Sequence, residues 1–282
     1  MVKILIIFLA LLLIASGVVY VSERSATHAR IADNPFVWFV ALKYDSDAQE
    51  LPFVESGHKI EWRSRADSVF IGIGPPYWNE FFILGGNDLA AHPAIPTSVA
   101  DAYIVRIEPA RIPVLLSGTF AMLHRLGIWR MPDGTIGEDL SHIEFETGLG
   151  SSPENVAALK AKPVDQKPAM VNFLRYLDVA RYSESKDESS VSGREAYSRY
   201  GSVAFRTVYS IGGHLVTAGK VVEVVRESHA GPTRGEWDDI AIMQYPSQQA
   251  ILSMKQVPEY RKALAHRNAG LERTRIVASL VF

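Results

Sequence analysis

From Pro168 to Phe282 the spacing of apolar positions changes period several times, and each change marks an element. Ala169-Met-Val-Asn-Phe-Leu-Arg-Tyr176 is apolar on both faces and reads as a buried strand. Gly193 to Ile211 places Tyr197, Tyr200, Ala204, Val208 and Ile211 at three- and four-residue steps, one apolar stripe of a helix. Gly212-Gly213 stops it, because glycine accepts the left-handed conformation in which helices commonly end. His214 to Val225 and Trp237 to Gln244 form a strand pair. Ser247 to Leu271 is helical with Pro258 opening a second segment, and Thr274 to Phe282 is a terminal strand. The order β-α-β-β-α-β is that of the ferredoxin-like split βαβ unit, one sheet with two helices on one face. Its other face stays apolar and needs a cover.

The preceding half carries landmarks in the same order. Val40-Ala-Leu-Lys-Tyr44 stands where Asn172-Phe-Leu-Arg-Tyr176 stands, and Ser56-Gly-His-Lys-Ile60 where Gly212-Gly-His-Leu-Val216 stands. Trp78 to Leu84 matches Trp237 to Met243, and Ile107 to Ile112 matches Leu271 to Ile276. Tyr44 to Gly57 is too short for a first helix, and Pro93 and Pro96 break the second. The expected fold is α+β: tandem ferredoxin-like units forming a dimeric α/β-barrel-type pair within one chain. An unrelated strand-rich N-terminal domain is the alternative. Thr119 to Leu126 (a short helix), the Pro132-Asp-Gly134 turn and a strand at Ser141 to Thr147 lie outside the repeat.

Ile4 to Val21 is uncharged and mostly apolar, with Lys3 before it. As helix it would run roughly 27 Å, near the thickness of a hydrocarbon layer, whereas the apolar core of a cleaved signal is usually shorter. The expectation is an N-terminal transmembrane helix with the body exported to the periplasmic side; export followed by signal cleavage is the alternative. The chain thus divides into residues 1–22 (anchor or signal), 23–34 (tether), 35–147 (divergent unit), 148–167 (a linker with a helical stretch at Glu154 to Lys160) and 168–282.

Composition narrows the chemistry. Hydrophobic residues are 48% and charged residues 21%, a folded-protein balance, and a net charge of −2 gives no basic excess for nucleic acid. Cysteine is absent, so no thiolate site or disulfide exists. The eight histidines are scattered and imply no metal, and no phosphate loop or nucleophile elbow implies a cofactor.

What remains is polar residues in apolar elements: Asn172, Arg175, Tyr197, Tyr200, Trp237, Tyr260 and His266, the candidate lining of a pocket between sheet and helices. Arg175 could clamp a carboxylate or pair with Glu272 or Asp238. The tyrosines are either core or pocket, Trp237 closes a barrel end, and His266 is a general base or a solvated helix histidine.

Asn172-Phe-Leu-Arg-Tyr176, Tyr197-Ser-Arg-Tyr200-Gly, Gly213-His214, Trp237-Asp238, Tyr245-Pro-Ser247, Met254, Pro258-Glu-Tyr260, Arg267-Asn-Ala-Gly-Leu271 and Thr274-Arg together resemble the bacterial domain-of-unknown-function family 1330. That resemblance implies a dimeric α/β-barrel, usually of two chains, and supplies no activity. Two functions stay open: a membrane-tethered protein, catalytic or not, that binds a small acidic or aromatic compound, or a non-catalytic module that docks a partner at the membrane.

Overall fold

The computed structural model describes residues 26–45, 57–95, 98–129, 148–163, 165–182 and 191–282. A short helix α1 (Thr27–Ala32) leads into strands β1 (Phe36–Tyr44), β2 (Lys59–Ile71), β3 (Glu80–Gly86) and β4 (Val99–Pro109). Helices α2 (Val114–Arg125) and α3 (Pro153–Lys160) follow. The C-terminal part runs β5 (Pro168–Tyr176), α4 (Gly193–Ser210), β6 (His214–Arg226), β7 (Asp239–Gln244), α5 (Gln248–Ser253), α6 (Pro258–Gly270) and β8 (Leu271–Val281). A single 3-10 turn at Met254–Gln256 separates α5 from α6.

The strands close into one antiparallel barrel in the order β1-β3-β2-β8-β5-β7-β6-β4. This corrects the expected fold class, tandem ferredoxin-like units forming a dimeric α/β-barrel-type pair within one chain. Neighbours follow the same succession in both halves, but neither half keeps a sheet of its own. The cause lies in two long strands. β2 gives Lys59–Arg65 to β3 and Ser64–Ile71 to β8, bending at irregularities on the way. β6 gives His214–Lys220 to β7 and Gly219–Arg226 to β4. Each half therefore joins the other edge to edge at both seams, and among the described residues the barrel leaves no strand without a neighbour on either side. The fourth landmark pair is out of register: Ile107 ends β4, whereas Leu271 opens β8.

Both halves fill the interior, where eight strands leave room for packed side chains and little else. Phe173 on β5 is the hub, 5.5 Å from the Phe39 ring, 6.4 Å from Phe81, 6.2 Å from Tyr103 and 5.6 Å from Trp237. Ile31 of α1 enters the same core. On the outside of β5, β7 and β8, helices α3, α4 and α5 bury a second apolar layer that includes Leu159, Met170, Val208 and Ile276. Helix α2 rests on α4 through Phe120, whose ring lies 5.9 Å from Phe205, and through His124, whose Nδ1 stands 2.8 Å from the Ser210 carbonyl.

No helix among the described residues is long and apolar enough to cross a membrane, so the expected transmembrane helix has no counterpart in the described architecture. The Ile4 to Val21 run lies outside the described residues, as do the Pro132-Asp-Gly134 turn and the Ser141 to Thr147 strand. The expected Thr119 to Leu126 helix is the second half of α2.

Candidate functional site

With the barrel interior filled, a large open space among the described residues lies outside its wall. A cavity of about 1040 Å³ separates the outer face of β5, β6 and β7 from helices α2 to α6. Side chains alternate along a strand, so Ala169, Val171 and Phe173 point inward while Met170, Asn172, Leu174 and Tyr176 line the cavity. Helix α4 faces them with Tyr197, Tyr200 and Ala204, part of the stripe read from its sequence. It starts cleanly because the Ser192 hydroxyl caps it, accepting from the Glu195 amide at 3.2 Å. Tyr260 closes the far side from α6.

Besides Arg111, Lys160, Ser198, Ser202, Arg206 and Lys255, three polar features stand in this mostly apolar wall. First, the Asn172 side-chain nitrogen donates to the Met170 and Ala241 carbonyls, both at 2.9 Å. Those two acceptors fix the amide orientation, which leaves the side-chain oxygen without a hydrogen bond among the described residues.

Second, the aromatic rings run in a chain. Tyr176 and Tyr197 are 5.2 Å apart, Tyr197 and Tyr200 5.3 Å, and Tyr200 and Tyr260 5.7 Å, with the last two hydroxyls 2.9 Å from each other. Burial pushes the phenols of Tyr176, Tyr197, Tyr245 and Tyr260 well above the ordinary tyrosine range. They remain neutral hydrogen-bonding groups at any physiological pH.

Third, Arg194 at the start of α4 forks onto Asp239 at the start of β7, its Nη1 2.7 and 2.9 Å from the two carboxylate oxygens. Tyr176 donates to the same carboxylate at 2.9 Å, and the guanidinium lies 4.7 Å over the Tyr176 ring. Burial raises the Asp239 carboxyl above the usual aspartate range, and the hydrogen bonds from Arg194 and Tyr176 pull down without cancelling it.

Of the seven candidate residues, the fold brings Asn172, Tyr197, Tyr200 and Tyr260 to the cavity. Arg175, Trp237 and His266 stand elsewhere. Arg175 faces Glu236, Asp238 and Glu272 at 3.3, 3.2 and 3.4 Å, the ion-pair alternative. Trp237 is in the barrel core and donates to the Thr233 carbonyl at 2.7 Å. His266 sits on α6 with its Nδ1 2.7 Å from the Tyr182 hydroxyl. Sequence reasoning missed Tyr176, Arg194 and Asp239. Tyr176 had a signal, since it lies four residues beyond Asn172 on the same strand face. Among the described residues no group of three or more histidine, aspartate or glutamate side chains is arranged to hold a metal ion.

A crystal structure of a protein of unknown function from Rhodopseudomonas palustris is 29% identical over 49% of this chain and 95% of that one, with a TM-score of 0.39. The methylated form of that protein gives 30% identity over 45% of this chain and 89% of its own, again at 0.39. Comparison with curated proteins gave no match. Residues 187–280 match the family model described as Domain of unknown function (DUF1330).

Proposed function

We propose that the cavity between the barrel wall and helices α2 to α6 binds a small, largely apolar molecule, aromatic or aliphatic, that carries a hydrogen-bonding group. One observation carries this reading: a space of about 1040 Å³, in the range of small-molecule sites, has apolar walls into which a few fixed polar groups converge. The phenols are neutral, and the Asp239 carboxylate is already held by Arg194 and Tyr176. The wall therefore favours apolar surface, with Asn172 as an acceptor and the tyrosine hydroxyls as donors or acceptors.

Gly201 supplies the test. It lines the cavity from α4, and a Cβ built there meets nothing within 4 Å. The fluorescent amine N-phenyl-1-naphthylamine should bind the native protein one to one, with enhanced emission. Gly201→Trp should fill the space and abolish that signal while the circular dichroism spectrum and thermal midpoint are kept. Undiminished binding by a folded Gly201→Trp protein would remove the cavity as the site. Dye binding that appears only as the protein unfolds would do the same.

A further inference from the structure

A second cavity, of about 790 Å³, opens beside the first, between the ends of β4 and β6 and the chain that enters β1. The two share Ala110, Arg111, Ala218, Arg194 and Asp239 in their walls. Their chemistry differs. The first is mostly apolar, although Arg111, Lys160, Arg206 and Lys255 also line it; the second is more polar and carries Arg106, Arg111, Arg194 and Lys220 against Glu108 and Asp239. Arg194 is neutralised by Asp239, and Arg106 by Glu223 at 2.8 Å. Arg111 and Lys220 remain against Glu108, which stands across the ladder from Lys220 without an ion pair between them. The two cavities thus adjoin at these shared residues, and the second holds more cations than anions.

We infer that the ligand is an amphiphilic anion, its apolar body among the tyrosines and its carboxylate, sulfate or sulfonate head in the second chamber near Arg111 and Lys220. This deepens the proposed function and rests on it. The physical reason is an asymmetry of desolvation. The tyrosine-lined wall of the first cavity rewards burial of hydrocarbon and disfavours an unpaired ion, so an anionic group sits better away from the tyrosines, where exposed cations stand. There, two cations without an ion-pair partner among the described residues attract it, with solvent still near enough to spare them the cost of deep burial.

Two dyes of one skeleton separate the head from the body: 1-anilinonaphthalene-8-sulfonate, which is anionic, and N-phenyl-1-naphthylamine, which is not. The native protein should prefer the sulfonate, and added sodium chloride should erode that preference. In Lys220→Glu and in Arg111→Glu the ratio of the two affinities should fall by about tenfold, the size expected for losing one charge-assisted contact. Equal affinities for both dyes in the native protein, or a ratio that neither reversal moves, would overturn the anionic head while leaving the apolar cavity standing. If neither dye binds the folded protein, the cavity reading itself fails and takes this inference with it.

Discussion

Gly193 and Gly270 face each other where the start of α4 meets the end of α6, and a Cβ on either would run into the other's carbonyl oxygen. The main chain is tied at the same point, with Leu177 donating to the Gly270 carbonyl and Gly193 to the Leu177 carbonyl, both at 3.0 Å. Gly193→Ala or Gly270→Ala should therefore push the helices apart and cost about 1–3 kcal/mol, the usual price of overpacking. Gly201, on the same helix, is the counter-case. Gly201→Ala adds a methyl into open space and removes the backbone freedom of the unfolded glycine, so it should stabilise by about 0.4–1 kcal/mol. Urea unfolding of the three variants should give two losses and one gain.

Phe173→Ala should be the most damaging single change in the barrel. It empties the point at which rings from both halves meet, and Phe→Ala substitutions in cores cost about 3–5 kcal/mol. Because the two seams bind the halves into one closed sheet, the loss should appear as a shift of a single unfolding transition. A transition that splits in two, one per half, would contradict the shared core.

Asp101 on β4 fastens the segment after β6. Its carboxylate accepts from the Tyr77 and Ser228 hydroxyls, each at 2.8 Å, and from the amides of His229 and Ala230 at 3.1 and 3.3 Å. Burial alone would raise this carboxyl, but the hydrogen bonds outweigh it and hold it below the ordinary value of 3.8. A depressed folded pKa gives stability that is fully present above the unfolded value and lost as the pH falls through the folded one. Asp101→Asn should cost about 1–3 kcal/mol at neutral pH through mismatched donors. The difference from the native protein should shrink below about pH 3.8. Guanidinium unfolding at neutral and acid pH measures both effects.

His28 on α1 and His214 on β6 act in a higher window. Burial lowers both below the ordinary imidazole value of 6.5, and for His28 the neighbouring His214 adds to the effect. The His28 Nδ1 is buried without a hydrogen-bond partner among the described residues, while its Nε2 lies 3.5 Å from the Ser117 hydroxyl. As the pH falls from 6.5, the unfolded chain takes up protons before the native one does, so stability declines through that window. Calorimetric midpoints between about pH 7.5 and 5.5 should fall for the native protein and fall less for His28→Gln. An equal decline in both would assign the effect to other groups.

Much of the C-terminal half was legible because each element carries its own punctuation. The stripe of Tyr200, Ala204 and Val208 and the Gly212-Gly213 stop bound α4 to within a residue of its observed end. Barrel closure was not legible, because it depends on how far β2 and β6 extend. Ser56 to Ile60 marks only the beginning of β2, and the residues that pair with β8, such as Ala66, Ser68 and Val69, mix polar and apolar positions without a strict alternation. The site was partly legible for a related reason. Alternation identifies the face of Asn172, but Arg175 and Tyr176 sit at an irregularity in the β5–β8 ladder, and a strand beginning at Asp239 selects that carboxylate over its neighbour Asp238. The Arg194–Asp239 pair joins residues 45 apart in sequence, and no local pattern announces it.

The two seams make the halves mutually dependent in a way that packed faces alone would not. A fragment consisting of residues 168–282 would bare the flank of β8 that β2 now occupies and the flank of β6 that β4 now occupies. Both would present unpaired main-chain groups to any passing strand. The amino-terminal half therefore sheathes both exposed flanks of its neighbour, and cutting between the halves should yield sticky material rather than two smaller proteins.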